Sequence, residues 1–98
     1  MNKPILTIKN AVLVAEGIRS TEHFKSIEWR VWYPDVYDPD SREDDDLLGR
    51  CRVNWEGCAH WNFCGYYHAC RGDISAIADI SKKIVEASLK DYETDELV

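Results

Sequence analysis

At 98 residues, with 45% apolar residues and a net charge of −6, the chain has the length of one domain and the apolar content for a single core. It holds no run near the roughly 20 apolar residues of a membrane span, and its start, MNKPILTIKN, does not read as a signal peptide, because Lys3 is followed at once by Pro4. The expectation is a single cytoplasmic domain over 1–98, with its four cysteines kept reduced.

Residues 5–9 and 11–18 are rich in Val, Ile and Leu and are expected as strands, with Gly17 and the following RSTEH as the connecting turn. A short helix over 10–16, ending at Gly17, is the competing assignment. IEWRVWY at 27–33 alternates clearly: Ile27, Trp29, Val31 and Tyr33 fall on one face, and Glu28, Arg30 and Trp32 on the other. Trp32 on the polar face has two places to go, under a loop or into a contact surface. Pro34 stops the strand, and two prolines with a block of like charges make 34–46 a loop. A strand resumes over 48–55 with Cys51, Val53 and Trp55 on one face. Asn54-Trp55-Glu56-Gly57 reads as a tight turn with glycine in the left-handed position, and 58–61 returns from it.

The stretch ISAIADISKKIVEASLKDY is a helix, with Asp73 or Ser75 as its N-cap. Ile74, Ile77, Ile80 or Ser81, Ile84, Ala87 and Asp91 step by three or four along one stripe, which Val85 and Leu89 widen. The acidic tail over 92–98 is expected to fray. Together these elements predict an α+β fold, an antiparallel sheet of four to six strands with one C-terminal helix packed on it.

Charge is unevenly placed. Asp35, Asp38, Asp40, Glu43, Asp44, Asp45 and Asp46 fall within 35–46, opposed only by Arg42. The closing DYETDELV is acidic as well, so the body between is net positive. Calcium is a poor fit to the loop, because Pro39 separates Asp38 from Asp40 and the glycine of an EF-hand loop is missing. Free nucleic acid would be repelled by this surface. A basic protein surface would be attracted, and the seven carboxylates would steer the encounter. Trp32 and Tyr37 stand beside the acids as apolar anchors, since aromatic residues dominate binding hot spots.

The segment CAHWNFCGYYHAC, 58–70, is a near-palindrome. A hairpin about its centre NFCGY places Cys58 opposite Cys70 and His60 opposite His68, all on one face. That square would hold zinc and make the chain a metal-stabilised module, although the spacing departs from the usual zinc-finger patterns. The competing readings are buried small apolar cysteines, a Cys58–Cys70 disulfide, and an enzyme that uses Cys64 as nucleophile with His60 or His68 as base.

In size, acidity and lack of a catalytic signature, the whole chain resembles small phage-encoded inhibitors such as anti-CRISPR proteins and other DNA mimics. The resemblance implies a non-enzymatic inhibitor without a cofactor. Its partner would be a basic, nucleic-acid-binding protein complex, with neither nucleic acid nor membrane bound directly. An exposed aromatic edge would equally allow a homodimer.

Overall fold

Alternating apolar and polar residues build most of the five strands, and one period-3.6 segment builds the helix that covers them. The computed structural model describes residues 6–19, 26–40, 47–64 and 74–96. The strands are β1 (Leu6–Lys9), β2 (Val14–Arg19), β3 (Ser26–Trp32), β4 (Gly49–Asn54) and β5 (Ala59–Phe63), followed by α1 (Ile74–Glu96). They form one antiparallel sheet in sequence order, β1-β2-β3-β4-β5, with α1 packed across one face. The predicted α+β fold is therefore the one observed.

The register aligns Gly17, Trp29, Cys51 and Trp61 in one row across β2 to β5. Ile27, Trp29, Val31, Cys51 and Val53 are fully buried beneath Ile80 and Ile84 of the helix. The alternation read from IEWRVWY holds residue by residue. Two indoles fasten the helix: Trp29 Nε1 donates to Ser88 Oγ at 2.8 Å and Trp61 Nε1 to Ser81 Oγ at 3.0 Å. Seven residues separate the two serines, two helical turns on one face. Each indole N–H that enters the core needs an acceptor, and a serine supplies one without bulk.

The sequence expectation needs correcting at several points. Gly17 is not in a turn but within β2, because the Trp29 indole lies on it. A Cβ there would stand 2.8 Å from Trp29 Cζ2. The β1–β2 reversal falls at 10–13, where the Asn10 carboxamide oxygen accepts from the amides of Val12 and Leu13 at 2.8 and 2.6 Å, while Arg19 of the expected RSTEH turn ends β2 and the rest of that turn lies outside the described residues. Asn10 Nδ2 also donates to the Ala76 carbonyl at 2.9 Å, tying this turn to the helix start. The short helix over 10–16 is thus replaced by a side-chain-closed turn running into a strand.

At the β4–β5 reversal, Trp55 leaves the strand and is 55% exposed. Gly57 takes φ 85° as expected, and Asn54 Oδ1 accepts from the amides of Glu56 and Cys58, both at 3.0 Å. A Cβ at Gly57 would make only ordinary contact with Leu89, 3.4 Å from its Cδ1. Gly57→Ala is therefore expected to cost about 1 kcal/mol, the strain of a left-handed alanine without a clash. A shift of the urea midpoint measures it; an unchanged midpoint would remove the left-handed turn.

Asn62 and Phe63 continue β5 instead of opening the NFCGY loop, and the Cys64 amide still donates to the Leu48 carbonyl at 2.9 Å. On the helix, Ile74 and Leu89 are exposed rather than part of the buried stripe, which runs through Ala76, Ile80, Ile84 and Ser88. The helix also continues through Glu96 and does not fray from 92. Its last turns are held from outside: Tyr92 Oη donates to the Val53 carbonyl at 2.9 Å, and Asp91 pairs with Arg19. Ser75 is the second residue of the helix and not its N-cap, and Asp73, the other candidate, lies outside the described residues.

Candidate functional site

The sequence-marked residues that the structure describes stand on or beside the sheet face that the helix leaves uncovered. Alternation sends Glu16, Glu28, Arg30, Trp32, Arg50, Arg52, His60 and Asn62 to that face.

After β3 the chain doubles back over one end of this face. The Val36 amide donates to the Tyr33 carbonyl at 3.2 Å, closing a turn at Pro34-Asp35. Tyr37 then lies against Trp32, their ring centroids 5.4 Å apart and tilted by 54°. Tyr37 Oη donates to Glu16 Oε2 at 2.8 Å, and Glu16 is only 8% exposed. Burial first, then the bond to Glu16 and the charges of Glu16 and Asp38, push the Tyr37 hydroxyl up to about 12. Of the two places left for Trp32, the one occupied is beneath the loop, where it is 6% exposed. It supports the segment from below, and Tyr37 is the more accessible ring.

Asp35, Asp38 and Asp40 are all exposed on this fastened segment. Asp38 Oδ1 accepts from the Asp40 amide at 3.0 Å, a local turn that leaves the charges in solvent. Glu43, Asp44, Asp45 and Asp46 lie outside the described residues. Tyr37→Phe is expected to cost about 1–3 kcal/mol, because it strands a largely buried carboxylate without its donor. Equilibrium unfolding in urea reads the cost. A loss equal to that of an exposed control substitution would show that the Tyr37–Glu16 bond does not fasten the segment.

The near-palindrome is described only in its first half. Cys58 and His60 are exposed, Cys64 is half-buried, and His68 and Cys70 lie outside the described residues. Among the described residues, no group of three or more His, Cys, Asp or Glu side chains is placed to hold a metal. His60 stands opposite Arg52, beside Arg50 and Asn62. The two arginines donate hydrogen bonds and repel a cation. His60 and Cys64 are separated by four residues of extended chain, about 13 Å, so this pair is out of hydrogen-bond reach. Cys51 is fully buried, and burial pushes its thiol up to about 12, which makes it inert at neutral pH.

What the sequence reading missed is where the positive charge of the body collects. Arg30 and Arg50 are directly opposed, Arg50 faces Asn62 on its other side, and Arg52 stands between Glu28 and His60. Glu28 Oε1 lies 3.9 Å from Arg50 Nε. A shallow cleft of about 230 Å³ opens here, lined by Glu28, Arg50, Arg52, His60, Trp61 and Asn62. The signal was present in IEWRVWY and GRCRVN, whose non-core positions are mostly arginine and glutamate.

Among the described residues, no helix is long and apolar enough to cross a membrane. Comparison with protein-family models, curated proteins and solved structures finds no match to the chain.

Proposed function

We propose that this chain is a non-enzymatic binding protein, an inhibitor that docks its acidic segment on the basic surface of a partner protein. The observation that supports this reading is the fastening of the segment. Asp35, Asp38 and Asp40 project to solvent from a stretch anchored by the Tyr37–Glu16 bond and the Trp32–Tyr37 contact. Charges held in place lose less conformational freedom on binding than charges on a free loop. They also steer a basic surface toward one orientation. Basic surfaces of this kind occur on nucleic-acid-binding complexes, where carboxylates would occupy positions made for phosphates. The chain would then act in the cytoplasm as phage-encoded anti-CRISPR and DNA-mimic inhibitors do.

The test uses the protein fraction of a cell lysate that is retained on heparin, which presents such surfaces. Immobilised wild-type chain is expected to capture a partner from this fraction at about 50 mM salt and release it by about 300 mM, as screening shortens the reach of exposed charges. Asp35→Lys/Asp38→Lys/Asp40→Lys and Asp44→Lys/Asp45→Lys/Asp46→Lys are each expected to abolish capture while circular dichroism stays unchanged. Equal capture by wild type and both charge-reversed variants would refute the reading.

A further inference from the structure

We propose that Arg50, Arg52, His60 and Asn62 on the helix-free face form a binding site for a phosphate group, free or carried on a monoester. The register makes them a square at the β4–β5 side of the sheet, with Arg50 opposite Asn62 and Arg52 opposite His60. Opposed side chains start about 5 Å apart and neighbours along a strand about 7 Å. Two guanidinium forks, an imidazole and a carboxamide therefore surround one small volume. That volume is the cleft of about 230 Å³, several times the roughly 30 Å³ that one water occupies. It admits a tetrahedral anion together with some of its hydration.

The choice of cation supports the assignment. On the exposed side of α1 the positive residues are Lys82, Lys83 and Lys90, whereas on the helix-free face of β3 and β4 they are Arg30, Arg50 and Arg52. Lysine is enough to keep a surface solvated. Arginine adds a planar fork that meets two phosphate oxygens at once. Glu28 lines the same cleft, 3.9 Å from Arg50 Nε. It orients Arg50 and at the same time repels an incoming anion, so the site binds weakly and its affinity is tunable at one position. The site is independent of the role given to the acidic segment.

The test is a titration of isotope-labelled protein with inorganic phosphate and with a nucleoside monophosphate, followed by NMR against chloride at matched ionic strength. The Asn62 carboxamide, the His60 ring and the Arg50 and Arg52 Nε–H signals are expected to move together and saturate, with a dissociation constant of about 1 mM. Arg52→Gln should weaken binding about tenfold, the scale of a lost charge-assisted bond. Glu28→Gln should tighten it several-fold, a gain that a purely structural role for Glu28 would not produce. Lys82→Gln should leave it unchanged. Tighter binding of the nucleoside monophosphate would assign the site to an ester, and equal binding would assign it to phosphate alone. Shifts no different from those in chloride, or equal weakening by Lys82→Gln and Arg52→Gln, would overturn the site.

Discussion

Trp29→Ala is expected to remove about 4 kcal/mol of stability, the largest loss of any single substitution on the sheet. The range for large aromatic truncations in a core is about 3–5 kcal/mol. Three features place Trp29 well inside that range. The side chain is fully buried at the centre of the sheet, between Gly17 and Cys51 in the register. Its indole fills the space that Gly17 leaves, so truncation opens a cavity whose floor is backbone and cannot collapse. The Ser88 hydroxyl, also fully buried, would lose its 2.8 Å partner. Domains of this size have only about 5–15 kcal/mol in total, so much of the variant population would be unfolded in mild urea. Trp55→Ala, at a site 55% exposed, should stay within about 0.5 kcal/mol of wild type. Urea titrations followed by far-ultraviolet circular dichroism compare the two. Similar midpoints would mean that Trp29 is not the centre of the core.

The second large effect is alkaline. Burial pushes the Cys51 thiol from 9.0 up to about 12, and the Tyr37 and Tyr92 hydroxyls from 10.0 up to about 12. Each group keeps its proton in the folded chain over a range where the unfolded chain gives it up. The unfolded state then binds fewer protons, and stability falls as pH rises. The contribution is complete below about pH 9 and is lost progressively between pH 9 and about 12. One pKa unit corresponds to about 1.4 kcal/mol, so Cys51 alone accounts for about 4 kcal/mol by pH 12. The tyrosines add less, since both are partly exposed and solvent screens them. Cys51→Ala is expected to be somewhat less stable at pH 7 and to lose markedly less between pH 9 and 11 than wild type. Parallel pH profiles for the two proteins would sink this account. At pH 8 a thiol reagent should modify exposed Cys58 quickly and reach Cys51 only on unfolding.

Local chemistry was legible wherever one residue's neighbours in sequence are also its neighbours in space. IEWRVWY alternates from Ile27 to Val31, and β3 with both of its faces followed from that pattern. Asn54 and Gly57 close their own turn, so the hairpin could be read from four letters. The helix followed from its period, and so did Ile80 and Ile84 of its buried stripe, but Ser88 did not. Ser88 looks like a surface residue, and Ser81 only an alternative to Ile80 on the stripe, until Trp29 and Trp61 arrive from strands 59 and 20 positions away. Ile74 looks like core, yet the sheet does not reach it, and it is 74% exposed. Of the candidate sites, the acidic segment was visible as composition. Its fastening to Glu16 was not, because that bond joins Tyr37 to a strand 21 residues earlier.

The sequence by itself determined the period of each element, the turn at Gly57 and the separation of acidic from basic charge, because these depend on residues within a few positions of one another. Tertiary structure alone decided that Gly17 belongs inside β2, that the helix continues through Glu96 and that Arg50, Arg52, His60 and Asn62 share one cleft. Each of these depends on which strand lies beside which. Sheet registration sets that through contacts between distant residues, whose energies are summed only once the whole sheet has formed.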